Sequence, residues 1–348
     1  MAKNQLSELY IFRMVSGALG WAEFKDDSLV VRKKDWGVIH SATSYHEVTD
    51  PQGEAKLVDA RQMLKFAVRE ISDPAVTSPN DLKPVLLQKG EYFPRVWRGY
   101  VGGRPFVDTL DLMDPFNVYG DEFTGAVVAA ESLLMEIKEL FRSVEPDEVN
   151  DKAYGHRMRE LLILLCTEVE ANLVSVLKAN FPAKVAKVRD SGKYLNISDY
   201  QKLKDVMYLD KYLVRLADYK GRQYSPFRNW TSRGKSSETL PWYAAYNSVK
   251  HDRETNFRLA CMENVLNAAA ALHILQLAQW GSGLFGLLQG ARKSVFVTVE
   301  QPEIQLGEIY VPVASDTDHR RIPIGENVFD SPLPYETFIA RQSITGTK

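Results

Sequence analysis

The feature that most constrains the fold is a series of amphipathic helical segments between Asp121 and Gly281. The clearest of these segments is AYGHRMRELLILLCTEVEANLVSVLKANF, which stops near Pro182. Apolar side chains recur along one face of it at helical spacing: Leu162, Cys166, Val169, Leu173, Val176 and Leu177. Such a stripe must be covered by other apolar surface, so it predicts a helix packed inside a larger core.

Three more helices are predicted on either side of this segment. The first is DEFTGAVVAAESLLMEIKELF, and another is SDYQKLKDVMYLDKYLVRLADY, with Ser198 as its N-cap. The last begins near Pro241, a residue suited to a first helical turn, and runs towards Trp280 with a break around Asp252–Asn256 left open. Four long amphipathic helices predict an antiparallel helical bundle over residues 121–281.

Both ends of the chain are rich in strand signals. Residues 1–115 contain SLVVRK, WGVIHSA, KPVLLQ and RVWRGYV, separated by turn formers, with one helix predicted in AKLVDARQMLKFAVREI. Residues 290–348 return to strands in SVFVTVE and GEIYVPV. Because chain ends often lie close together, we expect these two β-rich segments to pack as one region beside the bundle. The predicted fold class is therefore α+β.

Net charge, cysteine content and hydropathy limit the partners that the chain can bind and the compartment in which it can lie. The formal net charge is -2, so any contact with nucleic acid must come from a local patch and not from the overall field. The cysteines, Cys166 and Cys261, both lie in apolar helical stretches, which predicts free thiols in a reducing compartment. No apolar run approaches the ~18 residues of a membrane span, and no secretory signal is evident. We expect a cytoplasmic protein without a membrane contact.

The stretch LPWYAAYNSVKHDRETNF carries the densest set of chemically active side chains. In a helix, Asn247 and His251 lie one turn apart on one face, and Arg258 follows two turns later on about the same face. Tyr246 and Arg253 share a different face. Two interpretations of this stretch are open.

In the first interpretation the stretch is a site for metal-free phosphodiester chemistry. Its histidine can exchange a proton near neutral pH, an amide can orient the substrate or the ring, and an arginine can neutralise a phosphate. In the second interpretation His251 is satisfied by its neighbours, and Tyr246 and Trp242 fill a core. Residue chemistry alone favours the second.

The spacing Asn247-x-x-x-His251, placed after a long helix such as Arg159–Ala179, resembles that of HEPN domains. The resemblance covers about residues 151–280 and leaves the β-rich ends outside it. It implies a bundle of four to five helices that binds RNA or a nucleotide. It also implies a possible metal-independent endoribonuclease of the kind found in phage defence and toxin–antitoxin systems. Because HEPN domains commonly pair through the helix that carries the motif, the resemblance further implies a homodimer, and a partner protein is compatible with it.

One position departs from the HEPN pattern. The residue before the polar position is normally arginine, and here it is Tyr246. A tyrosine can donate a hydrogen bond but carries no positive charge at neutral pH. Either Arg253 or Arg258 replaces the missing charge, or the site no longer cleaves. In a working site His251 would be the general acid and base, and Asn247 the orienting amide.

The loop before the motif, KGRQYSPFRNWTSRGKSS, has a composition suited to RNA. It contains no acidic residue, and Tyr224, Phe227 and Trp230 alternate with its five basic residues: Lys220, Arg222, Arg228, Arg233 and Lys235. Basic side chains contact phosphates and aromatic faces stack on unpaired bases, so the five basic residues, Tyr224, Trp230 and Lys250 form a candidate RNA-binding set. The alternative is a solvated loop whose aromatic side chains pack onto the bundle.

Two classes of function follow from these patterns. The first is an RNA- or nucleotide-binding HEPN-like protein, with cleavage as an added activity. The second is a non-catalytic HEPN-like module for binding or assembly, which Tyr246 favours. No spacing typical of a metal site or of a dinucleotide fingerprint occurs, so neither a metal nor a cofactor is predicted.

Overall fold

The chain has an α+β fold that divides into two compact units. The structure is a computed structural model, and it describes residues 9–13, 19–25, 28–33, 37–38, 48–49, 55–56, 82–101, 121–219, 221–231, 238–281, 283–285, 292–311 and 339–340. The first unit, here called the β unit, comprises residues 1–92, 98–105 and 304–340. The second, here called the helical unit, comprises residues 93–97, 106–303 and 341–348.

The β unit is built on an antiparallel sheet. Its described strands are β1 Leu9–Arg13, β2 Leu19–Lys25, β3 Ser28–Lys33, β4 Gly37–Val38 and β7 Leu82–Pro84. They lie in the order β4-β3-β2-β1-β7. Two short strands, β5 (Val48–Thr49) and β6 (Ala55–Lys56), form a separate antiparallel pair. The predicted helix AKLVDARQMLKFAVREI therefore begins as strand β6, and the rest of it lies outside the described residues.

Segments from both ends of the chain meet in the β unit. Strand β12 (Ile339–Ala340) pairs in parallel with β8 (Glu91–Tyr92), and Tyr310 bridges to Tyr100. Side chains from the two ends also share one buried cluster: Leu9, Ile11, Trp21, Val85, Val101, Leu306, Ile309 and Val311. Burial of this apolar surface stabilises the contact between the two segments.

The helical unit packs its long helices around a common core. The helices are α1 Asp121–Leu140, α2 His156–Asn180, α3 Pro182–Asp190, α4 Ile197–Tyr200, α5 Lys202–Val206, α6 Pro241–His251, α7 Arg253–Asn256 and α8 Met262–Trp280. As the matched apolar faces predict, α2 packs against both α6 and α8. The whole predicted stripe of α2 is buried. Buried alanines at positions 268–271 let α8 approach its neighbours closely. Cys166 and Cys261 are buried free thiols.

Across the described ranges, no helix combines the length and apolar character needed to cross a membrane.

The predicted third helix is wrong as a single element. Its N-cap is Asn196 and not Ser198, because Asn196 and Asp199 form a reciprocal capping box. Tyr208 adopts a left-handed conformation with φ 52°, which ends the helical path after α5. The last part, LVRL, becomes strand β9 (Leu213–Leu216), whose alternate side chains are buried.

Strand β9 is the centre of a small antiparallel sheet within the helical unit. Its partners are β10 (Gln223–Tyr224) and β11 (Phe296–Glu300). The sequence SVFVTVE was expected to join the β-rich N-terminal region, and for β11 that expectation is wrong. Phe296 is buried against Tyr224 in the helical core, which places this strand in the helical unit. The later segment, residues 304–340, belongs to the β unit.

The predicted fourth helix is interrupted twice. Asp252 has φ −142° and ψ 88°, outside the helical region, and it ends α6. Its carboxylate then accepts a hydrogen bond from the Thr255 amide at 3.2 Å and caps α7. A 3-10 turn, Phe257–Leu259, leads to α8. The first break, at Asp252, lies within the range Asp252–Asn256 in which the sequence analysis allowed for one.

Residues 93–97 form a strap on the helical unit, although RVWRGYV was predicted as a strand. Trp97 donates its amide to the carbonyl of Ala278 at 2.9 Å, and Asn180 donates its side-chain amide to the carbonyl of Pro94 at 2.8 Å. Gly281 ends α8 with φ 104°, and a Cβ there would lie 2.9 Å from the Trp97 ring. Glycine is therefore required at this position.

Candidate functional site at the end of helix α6

Tyr246, at the position where the HEPN pattern has arginine, is buried between α2 and α6. Only 1% of its surface is exposed. Its hydroxyl donates to Glu170 Oε2 at 3.2 Å and accepts from Lys250 Nζ at 2.9 Å. Tyr243 donates its hydroxyl to the other oxygen of the same carboxylate. Glu170, Tyr243, Tyr246 and Lys250 form one connected set, here called the Glu170 cluster.

Burial keeps Tyr243 of the Glu170 cluster and the nearby Tyr200 neutral. Burial, reinforced by the hydrogen bond to Glu170, raises the pKa of Tyr243. Burial and the nearby Glu170 carboxylate raise the pKa of Tyr200 to about 12. The hydrogen bond to Tyr246 raises the pKa of Lys250, so its ammonium is charged at neutral pH. The cluster therefore holds one cation at the surface through a neutral phenol and a carboxylate.

Asn247 and His251 lie beside this cation on α6, one turn apart as predicted. His251 is exposed at the last position of the helix, and Asn247 is half-buried. Neither side chain has a hydrogen-bond partner among the residues that the structure describes. The C-terminal end of a helix favours positive charge, which suits both Lys250 and a protonated His251.

The two candidate arginines are not placed as the sequence predicted. The expected shared face of His251 and Arg258 assumed one continuous helix, and the break at Asp252 changes the helical phase. Arg258 instead lies over the ring of Tyr154, 5.7 Å from its centroid. Arg253 is exposed at the start of α7. No described contact brings either arginine to His251, whereas Lys250 is its immediate neighbour in sequence.

The aromatic side chains of the predicted RNA-binding loop are buried, which corrects the expectation that they stack on bases. Tyr224 is 6% exposed, and Phe227 and Trp230 are fully buried. The rings of Phe227 and Trp230 pack 5.6 Å apart, and Phe227 meets Trp242 edge-on at 6.0 Å. Apolar burial has taken these rings into the core, as the alternative interpretation of the loop held.

The basic residues of the loop divide into three groups. Arg222 is 13% exposed and pairs with Asp151 at 2.5 Å, so it serves the fold. Arg228 is more than half exposed and lies 3.7 Å from Glu300, a contact that leaves it accessible to a phosphate. The remaining members, Lys220, Arg233 and Lys235, lie outside the described residues. Within the described part of the predicted set, Lys250 and Arg228 are the exposed cations.

Two partners of the site were missed by the sequence patterns. Glu170 follows Val169 of the apolar stripe of α2, and no sequence pattern singled it out. Tyr243 precedes Tyr246 by three residues, and that spacing was the available sign that both hydroxyls serve one acceptor. The described residues contain no group of three or more His, Cys, Asp or Glu side chains able to hold a metal ion.

Comparisons with protein-family models, curated proteins and solved structures gave no match. The end of α6 offers an exposed imidazole, an exposed ammonium and an amide within two helical turns. That set can bind an anion and can donate or accept a proton.

Proposed function

We propose that the helical unit is a HEPN-like module that binds RNA or a nucleotide at the exposed end of α6 and does not cleave it. The observation that carries this proposal is the placement of Tyr246. It fills the arginine position as a buried member of the Glu170 cluster, with both of its hydrogen bonds made inside the protein.

Binding is supported by the groups that remain accessible. Lys250 presents a charged ammonium, and the neighbouring His251 adds a second charge when it is protonated. Asn247 supplies an amide on the same face as His251. Phosphate contacts of this kind give affinity without sequence preference and weaken as salt rises.

The absence of cleavage is supported by what Tyr246 cannot provide. Phosphodiester cleavage without a metal needs a positioned acid or base and a cation that meets the charge of the transition state. Tyr246 is neutral, buried and directed at Glu170. A phenol held in this way cannot turn towards a phosphate at the surface.

A second candidate function is a metal-independent endoribonuclease acting in phage defence or in a toxin–antitoxin system. One observation favours it: the Glu170 cluster holds the Lys250 ammonium 2.9 Å from the Tyr246 hydroxyl, next in sequence to His251. In such an enzyme Lys250 would supply the charge that the arginine position lacks, and His251 would move the proton.

The binding test uses a labelled single-stranded RNA and fluorescence anisotropy across a salt series. Lys250→Gln should weaken binding and lower the salt dependence by about one phosphate contact. The matched control is Lys187→Gln, which removes an exposed lysine from α3 in the same unit. Equal losses in both variants would show that α6 is not the binding surface.

The cleavage test incubates the same RNA with the protein in EDTA and separates the products on a gel. We expect intact RNA with the wild type and with Tyr246→Arg, because an arginine at position 246 would pair with Glu170. Cleavage by the wild type that is abolished in His251→Ala would overturn the non-catalytic proposal and support the nuclease.

A further inference from the structure

A buried polar network lies between α2, α8 and the strap of residues 93–97. Arg95 donates from Nε to Gln279 Oε1 at 2.7 Å and from Nη2 to Asn172 Oδ1 at 3.2 Å. Asn172 in turn donates to Glu168 Oε1 at 2.7 Å. Asn172 and Gln279 are buried, whereas Arg95 and Glu168 are half-buried and reach the surface. The charged groups of Arg95 and Glu168 therefore lie near the surface, next to the buried side-chain amides of Asn172 and Gln279.

The backbone of Arg95 is held in an unfavourable conformation. Its φ of 60° lies in the left-handed region, which a residue with a long side chain rarely adopts. The bonds of Pro94 and Trp97 to the helical unit fix the chain on either side of it. Its guanidinium also lies 5.2 Å from the centroid of the Trp280 ring. Strain kept in place by surrounding contacts is often found at binding sites.

The hydrogen-bonding capacity of this network is not used up. Asn172 Oδ1 is saturated, because three donors approach its two lone pairs, from Arg95, Gln276 and Gln279, and the unused capacity lies on Arg95 and Glu168 instead. Arg95 Nη1 and Glu168 Oε2 have no partner among the residues that the structure describes. A donor edge and an acceptor oxygen are thus left open on two side chains that both bind Asn172.

We propose that Arg95 and Glu168, on the floor formed by Asn172 and Gln279, recognise a guanine base. This inference rests on the proposed binding of RNA or a nucleotide and names the base. Guanine presents the acceptors O6 and N7 to a guanidinium edge and carries N–H donors on the adjoining edge, which a carboxylate can accept.

The other bases fit these two groups less well. Adenine carries a donor amino group where guanine has O6, so that group would face the donors of Arg95. Because two carboxylates, those of Glu122 and Glu168, lie near the single guanidinium of Arg95, the site selects a neutral ring and not a free anion. Burial raises the pKa of Glu168 and lowers that of Arg95, so both groups lack full solvation and gain from a partner.

The test measures the affinity of the full chain for three mononucleotides, GMP, IMP and AMP, which share a phosphate and differ in the base. Titration calorimetry should show GMP binding roughly tenfold or more tightly than AMP. Arg95→Lys keeps the positive charge but removes the bidentate hydrogen bonding of the guanidinium, so it should abolish the preference for GMP over AMP. Glu168→Gln should abolish the preference for GMP over IMP, which lacks the 2-amino group.

Arg142→Lys is the matched control, because Arg142 is a well-exposed arginine of the same unit outside the network. It should leave every preference unchanged. Should Arg95→Lys fail to fold by circular dichroism, the isosteric Glu168→Gln carries the test with GMP and IMP.

The outcomes separate this inference from the proposed function. Equal binding of GMP and AMP by the wild type overturns the guanine site, and the RNA affinity of Lys250→Gln then still decides the proposal for α6. A GMP preference in a protein that binds no single-stranded RNA supports the guanine site and overturns RNA binding. A loss of preference in Arg142→Lys as large as in Arg95→Lys also overturns the site.

Discussion

Acid should destabilise the helical unit through His273, a buried residue of α8. Its side chain is 1% exposed, and its Nδ1 lies 2.8 Å from Ser294 Oγ. The imidazole stacks on Phe285 with ring centroids 4.6 Å apart. Its Nε2 has no hydrogen-bond partner within the described structure. Burial in these apolar surroundings lowers the pKa of His273 to about 3, because a charged imidazole would lose its hydration there.

The sign of the effect follows from proton binding. An unfolded histidine has a pKa of about 6.5, so between pH ~6.5 and ~3 the unfolded state binds a proton that the folded state does not. The free energy of unfolding should therefore fall as the pH falls through this window. The slope is about 1.4 kcal/mol per pH unit, which gives roughly 2–3 kcal/mol between pH ~6.5 and ~4.5. That is a large share of the ~5–15 kcal/mol of a typical domain.

The assay compares urea unfolding of the wild type and His273→Gln, followed by far-UV circular dichroism, at neutral and at acid pH. Glutamine can still bond to Ser294 but does not titrate in this range. The wild type should lose roughly 2–3 kcal/mol more than the variant on acidification. The raised pKa of Glu168 acts in the opposite direction, but it is common to both proteins and cancels.

His251→Gln provides the control for the loss of a histidine, because His251 is exposed at the end of α6 and lies outside the buried surroundings of His273. Parallel curves for the wild type and His273→Gln would refute the reasoning. They would show that the folded protein admits a proton at His273, through water or a local opening.

Three further predictions concern the helical unit. Tyr246→Phe removes one donor from Glu170 and one acceptor from Lys250, so it should cost about 1–3 kcal/mol of unfolding free energy in urea titrations; an unchanged midpoint would argue against the Glu170 cluster. Trp230→Ala should cost about 3–5 kcal/mol in the same assay, since this side chain is fully buried; a loss of RNA affinity without a loss of stability would contradict that role. Light scattering should give about twice the 39.4 kDa chain mass, because α6, the helix that carries Asn247 and His251, is expected to pair with a second copy; a monomer mass would exclude the homodimer.

The spacing of apolar residues predicted those helices whose position depends on burying a single face. The α2 stripe from Leu162 to Leu177 is buried as expected, because apolar residues at helical spacing form one face, and that face must be turned towards the core. The interruption after His251 could also be anticipated, since Asp252 and Asn256 are residues that favour caps over helix interiors.

Elements that depend on distant partners could not be obtained in this way. The segment LVRL has a composition that suits either a helix or a strand, and it is a strand because β10 and β11 pair with it. Its partner β11 lies about eighty residues later in the sequence. Local propensity cannot report a pairing of that kind, and tertiary contacts override it.

The site, too, depends on a contact between distant segments that local sequence cannot report. Spacing within α6 correctly places Asn247 one turn before His251, but the predicted shared face of Tyr246 and Arg253 is wrong, because the helix ends at His251. Spacing cannot show that Glu170, on another helix, accepts a hydrogen bond from the Tyr246 hydroxyl, which in turn accepts one from Lys250. The sequence offered Arg253 and Arg258 for that charge, and the contacts described for Arg258 lie with Tyr154. Among the described residues of the site, Lys250 is therefore the cation that accompanies Tyr246, and the proposed binding of RNA predicts that this ammonium contacts a phosphate.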